Sequence, residues 1–299
     1  MSARVFGAVL LYAIAFACTA SATLAAEAPK KVFRSVFLIA ETEFDPAKVS
    51  DFYSNTVIEE ILESPLTYDM LARPARLKPQ TLIAMPVITE GGRVYTLKLK
   101  PGIMFADDSA FNGKRRELTA QDYVYSWMRL LDPKLKSPNT WLFAGKIVGL
   151  DAVVAAAKTS GSFDYDAKVA GLEVLDAHTL RITLTKPDFN FIYILAMPTT
   201  GAMAREVVEK YGAQVGAHPV GTGAFLLKEW RRSSKIVLEK NPNFREEFYD
   251  ADPGDDPLSQ KLAAQMKGKR LPQLDRIEIS IIEESQPRWL AFLSGELDT

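Results

Sequence analysis

Between His218 and Phe244 the chain reads HPVGTGAFLLKEWRRSSKIVLEKNPNF, and this segment constrains the fold more than any other. Pro219, Gly221 and Gly223 let the backbone turn sharply where a side chain would clash. Ala224–Trp230 and Lys235–Lys240 follow as two extended runs, and Asn241-Pro242 closes the second. On spacing alone the segment is a β-hairpin entered through a tight glycine turn.

The remaining elements follow from hydrophobic periodicity. Val32–Ala40 reads as a largely buried first strand, and Glu41–Asn55 as an irregular connection with an Asp-Pro turn. Thr56 opens a T-x-x-E pattern, so a helix is expected from there, with Val57, Ile58, Ile61 and Leu62 on its apolar face. Leu66–Tyr68 is a short strand, Arg93–Lys100 a half-buried strand alternating Tyr95, Leu97 and Leu99 with polar residues, and Pro101-Gly102 its stop. Thr119 and Asp122 cap a helix that carries Tyr123, Trp127, Leu130 and Leu131 to Pro133. Val148–Ala157 and Ala202–Tyr211 are further helices, the latter ending at Gly212 in a left-handed cap. Thr179–Thr185 and Leu274–Ile282 are strands, and Gln286–Leu293 is a helix stopped by Ser294-Gly295. Arg245–Pro272 is a polar surface insertion whose aspartates, broken by prolines, make a solvated acidic loop rather than a calcium loop.

The N-terminus supplies a compartment. Arg4 precedes an apolar run, Val5–Ala17, and small residues at Ala20-Ser21-Ala22 and Ala25-Ala26, the pattern of a secretory signal peptide. Cys18 follows Ala15-Phe16-Ala17, a poor lipobox, so a periplasmic protein is expected in preference to a lipoprotein. Cys18 is the single cysteine and falls within this leader, which leaves no disulfide and no thiol site. Stability must then come from a large core, and roughly 270 remaining residues suffice for two lobes. A net charge of −1 argues against nucleic acid or an anionic membrane as partner.

Chemistry for catalysis is missing from the pattern. His178 and His218 stand in unrelated contexts, and neither belongs to a zinc-binding repeat. There is no G-x-S-x-G elbow, and Gly221-x-Gly223 lacks the Lys-Ser/Thr of a phosphate loop. Carboxylate pairs such as Glu41/Glu43 and Asp107/Asp108 sit in loops, where solvation is their ordinary role. No enzyme, no cofactor and no metal is expected; the sites of a secreted hydrolase would require a nucleophile or convergent acids that the pattern does not offer.

Several blocks, in order, carry a resemblance. EFDPAKVSDFYSNTVIEEILESPLTYD, YTLKLKPGIMFADD, LTAQDYVYSWMRLLDP, SPNTWLFAGKIVGLD, LDAHTLRITLTKP, the glycine-turn hairpin and WLAFLSGELDT together resemble the family 5 extracellular solute-binding proteins, the oligopeptide- and dipeptide-binding subunits of ABC importers. The resemblance implies an α/β chain with a type II periplasmic-binding-protein-like fold: the first lobe plus a small extra domain, with the second lobe missing because the chain stops at Thr299. It implies a signal peptide at 1–26, the first lobe at 27–61, the small domain at 62–203, and the first lobe again, incomplete, at 204–299.

The implied function is capture of oligopeptides for import, by a monomer that delivers them to an ABC permease and ATPase complex. Haem, nickel, glutathione or opine-like ligands and a stand-alone sensor are the alternatives. Carried over residue by residue, the resemblance marks Ser50, Phe52, Tyr53 and Ser54, in the loop whose backbone pairs with peptide, as ligand-binding residues. It adds Asn139, where the oligopeptide binders have a tyrosine after Ser-Pro, and Gly221, Thr222, Gly223 and Phe225 of the glycine turn. Departures from the family pattern are Ala224 in place of a common proline, and longer connections at FADDSAFNGKRREL and Arg245–Pro272.

Overall fold

In the computed structural model, which describes residues 30–299, two four-stranded sheets are built from chain segments that interleave in sequence. The expected signal peptide lies outside the described residues. Chain order begins with β1 (Val32–Phe37), α1 (Phe52–Ile61), β2 (Leu66–Tyr68), β3 (Leu77–Pro79), β4 (Val87–Thr89) and β5 (Val94–Lys98). It continues through α2 (Ala120–Arg129), α3 (Leu150–Ser160), β6 (Leu172–Asp176), β7 (Thr179–Thr183), α4 (Phe191–Ile194) and α5 (Arg205–Tyr211). The hairpin β8 (Phe225–Arg231) and β9 (Lys235–Lys240) comes next, then β10 (Glu247–Phe248), α6 (Pro257–Met266), β11 (Arg270–Leu271), β12 (Arg276–Ile281) and α7 (Ser285–Leu293).

The first sheet has the order β1-β12-β9-β8. β1 and β12 are parallel, from Val32 opposite Arg276 to Phe37 opposite Ile281, and β9 and β8 continue antiparallel. Ile236, Val237 and Leu238 of β9 are buried in succession, so this central strand is covered on both faces. The second sheet, β4-β5-β7-β6, is antiparallel throughout, and a separate pair joins β2 to β3. Strands from residues 32–37 and 225–281 make one sheet and strands from 87–183 the other. One continuous core, including Phe44, Ile58, Leu82, Phe105, Trp127, Phe143, Phe191 and Leu238, runs beneath both.

Three local readings change. α1 begins at Phe52, not Thr56, because Asp51 caps it: Asp51 Oδ1 accepts the Ser54 N–H at 2.7 Å. Thr56 is left inside the helix, where its hydroxyl donates back to the Phe52 carbonyl at 3.0 Å. The interval 245–272 is a surface excursion but not a loop, since Asp256 caps α6 through the Ser259 N–H and Pro257 occupies its first turn. Gly212 has a positive φ of 51° but a ψ of −122°, outside the left-handed helical well, and the chain passes directly into a 3₁₀ turn, Gly212–Ala217. The Thr119 reading holds: Asp122 Oδ2 accepts the Thr119 N–H at 2.7 Å and closes the start of α2.

Candidate functional site

In an open α/β sheet the groups free to meet a ligand are those just beyond the carboxyl ends of the strands. Strand register identifies that edge here. Phe37 at the end of β1 lies opposite Ile281 at the end of β12, Ser280 lies opposite Lys235, and Lys235 lies opposite Arg231 at the end of β8.

Leu38 and Ile39 leave β1 at this rim with 44% and 65% of their surface exposed, where burial was expected for the strand's continuation. Glu41 then turns inward, and its Oε1 accepts the Trp230 indole N–H at 2.5 Å and the Ser233 N–H at 3.0 Å. That carboxylate ties the end of β1 to the β8–β9 turn.

The start of α1 closes against the same rim. The Thr42 N–H donates to Ser54 Oγ at 2.9 Å, and its hydroxyl donates to Asp51 Oδ2 at 2.7 Å. The Tyr53 ring packs 4.6 Å from Phe37, and Phe52 stands edge-on to Tyr53 at 5.5 Å with 76% of its surface in solvent. Ser50 is exposed beside them. Ser54 is fully buried and spent on Thr42 and Asp51, so its role is to shape the rim.

Beneath the rim, the segment from Asp45 to Val49 is held rigidly. Arg129 and Asp45 form a buried bidentate pair at 3.0 and 2.9 Å. Asn139 is buried, and its amide donates to the carbonyls of Pro46 and Val49 at 3.0 and 2.6 Å. Its donors are consumed by the loop. The exposed ring nearest in sequence is Trp141, 54% open to solvent.

The glycine turn is elsewhere. Gly223 N–H donates to the Ile61 carbonyl at 2.9 Å, at the C-terminal end of α1, whereas the rim meets its N-terminal end. With 10 residues in α1, the two are separated by about 15 Å of helix. A Cβ on Gly221 would stand 1.9 Å from the Ile61 carbonyl oxygen, and one on Gly223 2.4 Å from that of Glu60. Thr222 is buried and donates to Glu63 Oε2 at 2.8 Å; Glu63 pairs bidentately with Arg245 at 2.7 and 2.8 Å. Phe225 is buried in the core. The structure therefore brings Ser50, Phe52, Tyr53 and Ser54 together, places Asn139 under their loop, and sets Gly221, Thr222, Gly223 and Phe225 at the far end of α1. The groups that sequence reasoning missed are Leu38, Ile39, Glu41 and Trp230; their signal was position at a strand end, which becomes informative only once register is known.

Along α1, burial raises the Glu60 carboxyl to about 7, with the neighbouring Glu59 charge adding to the effect. Among the described residues no group of three or more His, Cys, Asp or Glu side chains is placed to hold a metal ion, and no helix is long and apolar enough to cross a membrane. The arrangement offers aromatic and aliphatic surface with fixed backbone, suited to holding a ligand.

Comparison with known proteins agrees on the fold. The profile of the bacterial extracellular solute-binding proteins, family 5 (middle region), matches residues 76–299, a stretch that excludes the rim residues of β1 and α1. Curated relatives include the periplasmic oligopeptide-binding protein OppA of Salmonella typhimurium LT2, 30% identical over 203 residues, covering 67% of this chain and 34% of that protein. OppA of Escherichia coli K12 is 29% identical over 204 residues with the same coverage, and the glutathione-binding protein GsiB of Escherichia coli O157:H7 is 28% identical over 199 residues, covering 67% and 32%. The chain thus spans about a third of the length of these relatives.

Among solved structures, the pheromone receptor PrgZ superposes with a TM-score of 0.69 at 22% identity, over 90% of this chain and 46% of that one. Listeria monocytogenes OppA bound to peptide gives 0.68 at 22% identity, over 90% and 46%. These likenesses show an α/β architecture corresponding to part of the type II periplasmic-binding-protein fold. On the profile match across most of its length, this chain belongs to the family 5 bacterial extracellular solute-binding proteins.

Proposed function

We propose that this chain forms the ligand-capturing first lobe and small domain of an extracytoplasmic solute-binding component of an ABC importer, and that its ligands are oligopeptides. The observation that carries this reading is the rim itself: exposed Leu38, Ile39 and Phe52 flank a backbone segment immobilised by Arg129–Asp45 and Asn139. Such a surface recognises extended backbone and tolerates varied side chains, and it requires no reactive group. Likeness to oligopeptide-binding relatives supports the ligand class; the relative that binds glutathione keeps a small peptide-like solute as the second reading.

In this reading residues 1–26 direct export to the periplasm, residues 62–203 form the small domain, and the protein works as a binder, not an enzyme, that hands its ligand to a permease and ATPase complex. Ser50, Phe52 and Tyr53 contact the ligand directly, while Ser54 and Asn139 hold the contacting loop. The glycine-turn residues Gly221, Thr222, Gly223 and Phe225 act through the placement of α1.

Calorimetry of the full chain against a mixed tri- to pentapeptide pool, with reduced glutathione as the rival, tests this. Peptide heats that fall about tenfold in affinity on Phe52→Ala support the rim. Binding of glutathione with no peptide response would replace the ligand class, and peptide binding indifferent to both Phe52→Ala and Leu38→Asp would remove the rim as the site.

A further inference from the structure

The β8–β9 turn carries a cation at the rim that the fold leaves without a charge partner. Arg231 ends β8 opposite Lys235 at the start of β9, so residues 232–234 lie beyond the carboxyl end of β8. The basic residues of this turn are treated differently. Glu229 pairs with Arg231 at 2.6 Å and Glu278 pairs with Lys235 at 2.7 Å, whereas the exposed Arg232 makes no ion pair among the described residues. Its guanidinium instead lies 4.7 Å from the centroid of the Trp230 ring.

The support beneath that guanidinium is fixed from several sides. The Trp230 ring packs 4.8 Å from Phe44, and its indole N–H donates to Glu41 Oε1 at 2.5 Å. The same oxygen accepts the Ser233 N–H at 3.0 Å. Ser233 holds a φ of 54°, a left-handed conformation that a side chain disfavours. Two backbone bonds close the turn around it: the Ser234 N–H donates to the Arg231 carbonyl at 3.0 Å, and the Ile281 N–H donates to the Ser234 carbonyl at 3.0 Å. Glu41, just past β1, and Ile281, at the end of β12, thus hold the turn in place. Thr42, which follows Glu41, meets Ser54 through its N–H, so one short segment joins this turn to the start of α1, where Phe52 stands.

A side chain presented by a turn fixed in advance loses less freedom when it binds. Contact with the ring face leaves the guanidinium N–H donors unspent, and their fork matches the two oxygens of a carboxylate. We propose that Arg232 is a specificity-determining residue of the rim and binds a carboxylate of the captured solute from its place over Trp230. This rests on the rim being the solute site, and it narrows the ligands to those that bring a carboxylate there, from a peptide's free C-terminus or from an acidic side chain.

Three probes with free amino termini separate the possibilities: tetra-alanine as the free acid, tetra-alanine amide, and Ala-Glu-Ala-Ala amide, each titrated by calorimetry into the full chain. The free acid binds about fivefold more tightly than its amide, and the preference shrinks at high salt. Recovery of that affinity by the glutamate-containing amide would assign the side-chain carboxylate as a partner of the same group. Arg232→Gln, on an exposed turn, abolishes the preference for a carboxylate of either origin and leaves the affinity for tetra-alanine amide unchanged. Peptides that bind without any such preference, or a preference that survives Arg232→Gln, overturn this proposal and leave the rim reading standing. Absence of binding by all three peptides overturns the rim reading, and this proposal with it.

Discussion

The glycine turn and the rim sit at opposite ends of one helix and obey opposite rules. At the C-terminal end of α1, Gly221 and Gly223 clear space for the backbone of Glu60 and Ile61, and a buried Glu63–Arg245 pair with Thr222 locks the junction. At the N-terminal end, Phe52 stands in solvent on a scaffold of buried bonds. The turn is written in a dense, recognisable string because nearly every atom there has one permitted neighbour. The exposed rim side chains are less constrained, since many residues can stand in solvent on the same scaffold. A strong motif can therefore mark a joint, while the surface it serves is anonymous.

That contrast is open to direct attack. Its sharpest break is Gly221→Val. With the added Cβ 1.9 Å from a backbone oxygen, helix and turn must separate, and we expect a loss above about 4 kcal/mol or no folded protein. Urea denaturation followed by circular dichroism reads this, and a loss below 1 kcal/mol would mean the junction is plastic. Next comes Glu63→Gln, which leaves the buried Arg245 with Glu247 as its remaining charge partner and costs about 3 kcal/mol in the same assay.

Asn139→Ala is intermediate, at about 1–3 kcal/mol, because it orphans the carbonyls of Pro46 and Val49. It sharpens the comparison by also loosening the rim, so ligand affinity should fall although Asn139 itself faces inward. Unchanged affinity with lowered stability would separate the loop from the site.

The Glu60 carboxyl gives a pH test midway along the argument. Its folded pKa of about 7 lies above the ordinary 4.5, so the folded state prefers the proton. The stabilisation is complete below pH 4.5 and is lost as pH rises through 7. Glu60→Gln should therefore flatten the decline of melting temperature between those limits and stabilise the protein at pH 8 by about 1–2 kcal/mol. A parallel pH profile in wild type and variant would refute the burial account. The smallest stability effect belongs to Phe52→Ala, within about 0.5 kcal/mol, while ligand affinity drops about tenfold. If Phe52→Ala instead destabilised like Gly221→Val, the two ends of α1 would not be the opposites described.

Much of the fold was legible because its signals are local. The alternation of Tyr95 and Leu97 located β5, Thr119 with Asp122 located the start of α2, and the two extended runs after Gly223 became β8 and β9. Misreadings arose where two local signals competed. Asp51 captured the N-cap that Thr56 also advertised, and Asp256-Pro257 nucleated a helix inside a stretch whose polarity suggested a loop. Of the residues carried over as ligand-binding, Ser50, Phe52, Tyr53 and Ser54 stay together in the structure because the bonds that hold them, to Thr42 and Asp51, are local in sequence. The surroundings of Asn139, of Glu41 and of the glycine turn were not legible, since their bonds join them to Pro46, Trp230 and Ile61, each remote along the chain.

By itself, then, the sequence determined many of the longer elements and the family, consequences of periodicity, capping and residue type acting over a few positions. Only the tertiary structure decided which end of α1 meets the carboxyl edge of the sheet and which end is clamped by Gly221 and Gly223. A glycine that makes room does not say for whom; that depends on which backbone the rest of the fold brings within contact distance.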